Sequence, residues 1–232
     1  MKKYKILYNE SAFVCGKKLF RIVALRSFGN VAEGEKGGFV ENYCNLDQEG
    51  NCWIGQHSVA MDRALVKDNA IVCGAAIVHG YATVSGNAFI SGGSSGSVYM
   101  NGSFLSGCNY DEFVEAGGSA VISGEAVVKH GVRIYQNAKV YGCATVLNKA
   151  TVKGHSEIYG NALISGYARI ADHARVFGFA TVKGRSFIKN NAVVYGNALV
   201  TGDSVVMGSY AVGGGKRISK GILSGKRNPV IE

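Results

Sequence analysis

The chain has one proline (Pro229), one tryptophan and few charged residues, 18% of its 232 positions. No apolar run is long enough for a signal peptide or a membrane span, which predicts a cytoplasmic protein that does not contact a membrane. The six cysteines (positions 15, 44, 52, 73, 108 and 143) lack Cys-x-x-Cys or metal-ligand spacing, so free thiols in a reducing cytosol and no bound metal are expected.

Glycine is abundant instead, with 33 residues, and much of it belongs to a six-residue repeat. Residues 120–215 divide into sixteen consecutive hexads of the form Ala-x-Val/Ile-x-Gly-Asn. The third position is Val or Ile in all sixteen, and the first is Ala in eleven. The fifth position is Gly in eleven hexads. Its other occupants are His130, Gln136, Asn148, Asp172 and Asn190. A period of this kind indicates a solenoid.

The chemistry of each position predicts the shape of the repeat. A β-branched third residue suits a strand and points inward, together with the small first residue two places before it. Gly, Asn and Asp at positions five and six tolerate the left-handed conformation of a tight corner. A short strand and a corner in every hexad close a triangular coil of three hexads. The sequence therefore predicts an all-β fold, a parallel β-helix shaped as a triangular prism.

The repeat also sets the expected organisation of the chain. Seven looser hexads occupy residues 52–93, and two degenerate hexads follow at 97–108. Residues 109–119 break the pattern and are predicted to form a projecting loop, so the β-helix is expected to span 52–215. Residues 1–51 do not repeat and are predicted to form a β-rich N-terminal cap over the open end of the helix. Residues 216–232 are expected to be a basic C-terminal tail.

These hexads resemble the left-handed parallel β-helix of the hexapeptide-repeat family, a rare exception to right-handed crossovers. The segments 19–25, 28–31, 37–41, 45–46 and 49–54 further resemble short phage and prophage proteins that are labelled acyltransferases on fold alone. The resemblance implies a homotrimer, located in the host cytoplasm if the protein is phage-encoded.

Stacking by three hexads sorts the outward side chains into three faces. The first carries an aromatic column, Tyr141, Tyr159, Phe177 and Tyr195. This column is either a ladder that stabilises the sheet, a subunit contact, or a platform for flat rings. The second carries a half-apolar column, which is a candidate subunit contact: Val127, Thr145, Leu163, Thr181 and Leu199, with Leu147 beside them.

The third face carries a basic strip: Arg133, Lys153, His155, Arg169, His173 and Lys189. Stacking places the two histidines one above the other, with Asn137 and Asn191 one coil to either side. Because Arg and Lys attract phosphate, this strip is the candidate ligand-binding surface; a solvated charged face is the alternative. The net charge of +9 also favours an anionic partner.

The leading hypothesis is a non-catalytic protein that binds or sequesters an anionic ligand, such as a nucleotide-like signal, or blocks an acidic host-defence protein. Nucleic acid fits the charge, but no motif supports it. The family resemblance implies the alternative, an acetyltransferase that uses acetyl-CoA, with His155 or His173 as general base. The γ-class carbonic anhydrases share the fold but need three histidines on one zinc ion. Here His57, His79 and His130 fall in other columns or coils.

Overall fold

The computed structural model describes residues 2–92 and 114–225. Three strands open the chain, β1 (Tyr4–Val14), β2 (Lys17–Ala24) and β3 (Lys36–Val40), and a 3-10 turn follows at Tyr43–Asn45. The remaining described strands are two or three residues long: β4 (Trp53–Ile54), β5 (Val59–Ala60), β6 (Leu65–Val66), β7 (Ile71–Cys73), β8 (Ala76–Val78), β9 (Thr83–Val84), β10 (Phe89–Ser91), β11 (Val114–Ala116), β12 (Val121–Ile122), β13 (Val127–Lys129), β14 (Arg133–Ile134), β15 (Lys139–Val140), β16 (Thr145–Leu147), β17 (Thr151–Val152), β18 (Glu157–Ile158), β19 (Leu163–Ile164), β20 (Arg169–Ile170), β21 (Arg175–Val176), β22 (Thr181–Val182), β23 (Phe187–Ile188), β24 (Val193–Val194), β25 (Leu199–Val200), β26 (Val205–Val206), β27 (Ala211–Val212), β28 (Arg217–Ile218) and β29 (Ile222–Leu223).

Every third short strand belongs to the same sheet, and three sheets form the sides of a prism. Within the described residues, the twelve-stranded sheet has the order β1-β2-β3-β5-β8-β11-β14-β17-β20-β23-β26-β29. The nine-stranded sheet contains β4, β7 and every third strand to β28, and the eight-stranded sheet contains β6, β9 and every third strand to β27. Neighbouring strands of the sixteen-hexad region pair in parallel three hexads apart, as Arg133 does with Thr151. The prediction of a left-handed parallel β-helix is confirmed.

The core consists of the first and third residues of each hexad. Val146, Ile164 and Val182 stack in one inward column, and each has no exposed surface. The alanines that precede them by two positions are equally buried, because only a small side chain fits beside the β-branched column. At about 4.8 Å per coil, nine coils give a prism about 40 Å long.

The corners explain why the fifth position is restricted. Where this residue is not glycine it still takes the left-handed conformation, with φ of 61° at Gln136 and at Asp172. At three of these five corners, those of Gln136, Asp172 and Asn190, the side chain accepts a hydrogen bond from the backbone N–H of the corner one coil further on. The Oε1 atom of Gln136 accepts from Gly154 N at 2.7 Å, and Oδ2 of Asp172 accepts from Asn190 N at 2.9 Å. A polar corner residue therefore links neighbouring coils.

The N-terminal strands cover one end of the prism and extend one of its sides. Strands β1 and β2 are antiparallel, and β3 joins this hairpin to the first short strand of the twelve-stranded sheet. The buried Lys3 ammonium donates to the carbonyl oxygens of Glu49 (3.0 Å) and Cys52 (3.1 Å). Stacking begins before the predicted boundary at residue 52, because Phe39 already pairs with Val59 and Leu46 with Val66.

The structure changes two other predicted boundaries. The prediction of a loop over 109–119 is wrong for residues 114–119, since Val114–Ala116 forms β11 between β8 and β14. These six residues are a hexad that has Ala116, which is not β-branched, at its inward position. Residues 109–113 and the predicted hexads at 97–108 lie outside the described residues. Across this gap, residues that pair in neighbouring coils are more than three hexads apart in the sequence, as Ile77 pairs with Glu115. The predicted C-terminal tail begins with two strands, β28 and β29, that continue the stack.

Within residues 2–92 and 114–225, no helix has the length and apolar character needed to cross a membrane. The five cysteines in this part of the chain are free thiols, as predicted, and Cys108 lies outside it.

Candidate functional site

The basic strip spans one side of the prism and one of its edges. Arg133 and Arg169 share an outward column of the twelve-stranded sheet, with Thr151 between them. Lys153 and Lys189 occupy the next outward column of the same sheet. The two histidines lie beyond them, at the corner between the twelve-stranded and eight-stranded sheets. The structure therefore stacks the six residues as the repeat predicts, and their role in binding stays a prediction.

The two histidines form a parallel stack. The ring centroids of His155 and His173 are 5.1 Å apart, and their planes differ by 5°. The amide Nδ2 of Asn137, one coil before, is 3.0 Å from Nε2 of His155. Each ring projects from the residue after a left-handed corner, and the backbone N–H groups of His155 and His173 donate to Asp172 and Asn190 carbonyls one coil further on. The coil-to-coil register thus presents two imidazoles and two amides along one edge.

A groove of about 480 Å³ runs along this edge, and we call it the histidine groove. It is lined by Asn137, Lys139, His155, Glu157, His173, Arg175 and Asn191. The Lys139 ammonium pairs with the Glu157 carboxylate at 3.3 Å, and the guanidinium of Arg175 forms no ion pair with any described residue. Of the basic strip, only the two histidines line the groove, because it opens toward the eight-stranded sheet.

Sequence reasoning missed the charged members of the histidine groove. Lys139, Glu157 and Arg175 each follow a member of the Asn137–His155–His173 column by two residues, at the second hexad position. This spacing places each of them on the strand that follows its corner, in the eight-stranded sheet. The signal was present in the sequence, but the basic residues on the preceding strand were considered instead.

The aromatic column lies on the eight-stranded sheet, one outward position beyond the column of Lys139, Glu157 and Arg175. Tyr141, Tyr159, Phe177 and Tyr195 stack with successive centroid distances of 5.0, 4.8 and 5.7 Å. Burial raises the pKa of Tyr159 above its ordinary value. The rings cover one another's faces, and the Tyr195 ring lies where a Cβ at Gly213 would be. This packing favours the ladder interpretation over a platform for a ligand ring.

A second polar cluster, unforeseen from the sequence, lies on the twelve-stranded sheet. The imidazole Nε2–H of His79 donates to Oε1 of Glu115 at 3.0 Å, and the Tyr135 hydroxyl donates to Oε2 at 2.7 Å. The His79 ring occupies the space that a side chain at position 117 would need, so a larger residue than Gly117 would displace the ring. The hydrogen bond with Glu115 raises the pKa of His79 and lowers the pKa of Glu115. Sequence reasoning missed this cluster because Glu115 was assigned to the predicted loop at 109–119.

The described residues contain no group of three or more His, Cys, Asp or Glu side chains arranged to hold a metal ion. The half-apolar column is confirmed as a column of the nine-stranded sheet, in which Leu163 pairs with Thr181 and Thr181 with Leu199. A homotrimer that associates through this column, and a phage source, stay predictions.

The coils and their corners give the chain the fold of a parallel β-helix built from hexapeptide repeats. A family model described as YdcK Beta solenoid repeat matches residues 192–208. The chain is also similar to a protein of Escherichia coli (strain K12) named "Uncharacterized acetyltransferase YdcK", with 35% identity over 74 residues. That similarity covers 28% of this chain and 23% of the Escherichia coli protein, so the chain matches less than a quarter of its relative's length.

Proposed function

We propose that the protein binds a phosphorylated, hydroxyl-rich ligand, such as the ribose phosphate part of a nucleotide, in the histidine groove and does not transform it. The observation that supports this proposal is the stack of His155 and His173, 5.1 Å apart, in a groove that also contains Arg175. The net charge of +9 favours the approach of such an anion.

The groove offers complementary groups for both parts of this ligand. The guanidinium of Arg175, which has no ion-pair partner among the described residues, can hold a phosphate with two parallel hydrogen bonds. The imidazole and amide N–H groups of the histidine column donate to further oxygens. The Glu157 carboxylate repels a phosphate but accepts hydrogen bonds from sugar hydroxyls, and its pairing with Lys139 partly neutralises it. A ligand with a phosphate at one end and hydroxyls beside it fits this arrangement better than a bare anion.

An acetyltransferase is the second candidate, and the name of the Escherichia coli relative favours it. In this case His155 or His173 would act as general base on an acceptor, with acetyl-CoA as acyl donor. A general base needs a partner that orients its ring. Nε2 of His155 is within hydrogen-bond distance of an amide rather than a carboxylate, and the nearest acid in the groove, Glu157, pairs with Lys139. The geometry therefore supports binding more strongly than catalysis.

Isothermal titration calorimetry with ribose 5-phosphate, ribose and inorganic phosphate tests the proposal. We expect ribose 5-phosphate to bind at least tenfold more tightly than either part alone. Arg175→Ala should weaken this binding at least tenfold. Arg133→Ala is the matched control, because Arg133 has the same hexad position and similar exposure on the twelve-stranded sheet, and it should bind normally. Equal losses in both variants, or no loss in Arg175→Ala, would contradict the groove assignment.

Substitution of each histidine by Gln, in two single variants, distinguishes ligand binding from acetyl transfer. Gln keeps hydrogen-bonding capacity but cannot act as a base at neutral pH. Binding should fall only a few fold in His155→Gln and His173→Gln. Consumption of acetyl-CoA in the presence of an acceptor, lost in either variant, would instead support the acetyltransferase.

A further inference from the structure

We infer a second binding site, for a planar aromatic anion, at the edge between the nine-stranded and twelve-stranded sheets. A pocket of about 440 Å³ lies there, and we call it the arginine pocket. It is lined by Tyr167, Arg169, Arg185, Phe187 and Val205. This inference does not depend on the proposed function, because the pocket lies across the twelve-stranded sheet from the histidine groove and shares no residue with it.

The pocket is built on the regular coil register. Tyr167 and Arg185 lie three hexads apart and occupy the same corner of successive coils. Arg169, Phe187 and Val205 follow one another in the first outward column after that corner, where they pair in register. The backbone N–H groups of Tyr167 and Arg185 both donate to carbonyl oxygens one coil further on, at 2.8 Å. The five side chains therefore project from a hydrogen-bonded scaffold rather than from a long loop.

Positive charge is concentrated around this pocket. Neither Arg169 nor Arg185 forms an ion pair with any residue of the described ranges. Asp203 lies one coil beyond Arg185 in the same column, but its carboxylate does not form an ion pair with the Arg185 guanidinium. The Lys189 ammonium lies 5.2 Å from the centroid of the Phe187 ring. The Lys149 ammonium similarly lies 5.7 Å from the Tyr167 ring. Two guanidinium groups without acidic partners in this part of the chain, with further ammonium groups nearby, make an anion the favoured occupant.

The apolar part of the lining specifies the rest of the ligand. Phe187 and Val205 are half-buried, and the Tyr167 side chain is 57% exposed at the rim. Inorganic phosphate would leave these apolar surfaces hydrated. A planar ring that carries a phosphate or carboxylate would cover them while its anionic group meets the two guanidinium groups. The histidine groove, in contrast, is lined by polar and charged side chains and suits hydroxyls.

Phenyl phosphate, cyclohexyl phosphate and inorganic phosphate are suitable calorimetric probes. We expect phenyl phosphate to bind several fold more tightly than cyclohexyl phosphate and at least tenfold more tightly than inorganic phosphate. Arg169→Ala combined with Arg185→Ala should weaken phenyl phosphate binding at least tenfold, and Phe187→Leu should remove the preference for the aromatic probe. Arg133→Ala is the matched control, since Arg133 lies in the same column as Arg169, and it should have no effect.

The outcomes separate this inference from the proposed function. If Arg175→Ala, rather than the Arg169/Arg185 double variant, abolishes phenyl phosphate binding, the probe occupies the histidine groove and this inference is wrong. It is also wrong if inorganic phosphate binds as tightly as phenyl phosphate, or if the double variant changes only the oligomeric mass. Should the double alanine variant misfold, replacement of both arginines by Lys keeps the charge and removes bidentate binding. That variant should still lose several fold in affinity, and full retention would overturn the inference.

Discussion

The imidazole of His79 donates a hydrogen bond of 3.0 Å to the carboxylate of Glu115, although 36 positions separate the two residues and the segment 93–113 lies between them. The pair joins the coil of β8 to the coil of β11, where the sequence separation of paired residues exceeds the regular three hexads. It adds a side-chain contact to the backbone hydrogen bonds that join these two coils, such as the one from His79 N to the Ala116 carbonyl oxygen at 2.9 Å.

The His79–Glu115 pair should make the stability of the prism depend on pH. The pKa of His79 is raised above 6.5, so its contribution is complete below that pH and is lost as pH rises through the raised value. The pKa of Glu115 is lowered below 4.5, so its contribution is complete above that pH and is lost as pH falls through the lowered value. Both contributions are therefore present between about pH 4.5 and 6.5.

We expect His79→Gln to lower the free energy of unfolding by about 1 kcal/mol at pH 6 and by less at pH 9. Urea denaturation at both pH values measures this difference. His57→Gln, at an exposed corner, is the control and should behave alike at the two pH values. A cost for His79→Gln that is the same at both pH values would show that the charge of the pair does not contribute.

The inward column should not tolerate charge. Ile164→Asp places a carboxylate in a core position with no exposed surface, at a cost of several kcal/mol, roughly 3 or more, and should give insoluble protein. Ser165→Asp adds the same charge one residue later, where the side chain points outward, and should stay soluble with an almost unchanged melting temperature. Soluble expression and thermal denaturation of both variants measure the contrast. Equal behaviour of the two would exclude this register.

Two substitutions at Asp172 distinguish the effect of backbone strain at this corner from the effect of its side-chain hydrogen bond. Its side chain accepts from the backbone N–H of Asn190, while its backbone has φ of 61°. Asp172→Gly loses the hydrogen bond but adopts this conformation freely, whereas Asp172→Ala loses the bond and keeps the strain. We expect the alanine variant to be the less stable of the two by about 1 kcal/mol in urea denaturation. Equal stability would mean that strain at the corner is negligible.

Much of this architecture could be predicted from the sequence, because the inward Val and Ile residues repeat without interruption from 120 onward. The stack of His155 on His173 followed directly from their spacing of three hexads. The hexad 114–119 was not predictable in the same way, since Ala116 lacks the β-branch that marks an inward position. The sequence also placed Lys139, Glu157 and Arg175 two residues after the histidine column, but the side of the corner on which the groove opens did not follow from the repeat, because the repeat fixes the position of a side chain and not its orientation.

The homotrimer is testable by light scattering at micromolar concentration, where the mass should be about three times 24.5 kDa. If the half-apolar column is the contact, Leu163→Glu with Leu199→Glu should reduce the mass to that of a monomer, because charges would be buried in the contact. Ser123→Glu, on the eight-stranded sheet, should leave the mass unchanged. A monomeric wild-type protein in dilute physiological buffer would refute the prediction.

Ligand binding in the histidine groove is the central claim, and the five histidines of the chain allow it to be observed directly. Side-chain ¹H–¹⁵N spectra of the imidazoles, assigned with single His→Gln variants, can be recorded during titration with ribose 5-phosphate. We predict that the signals of His155 and His173 shift together and saturate, while those of His57, His79 and His130 stay in place. Unchanged His155 and His173 signals at saturating ribose 5-phosphate, or shifts confined to the other three histidines, would contradict the claim.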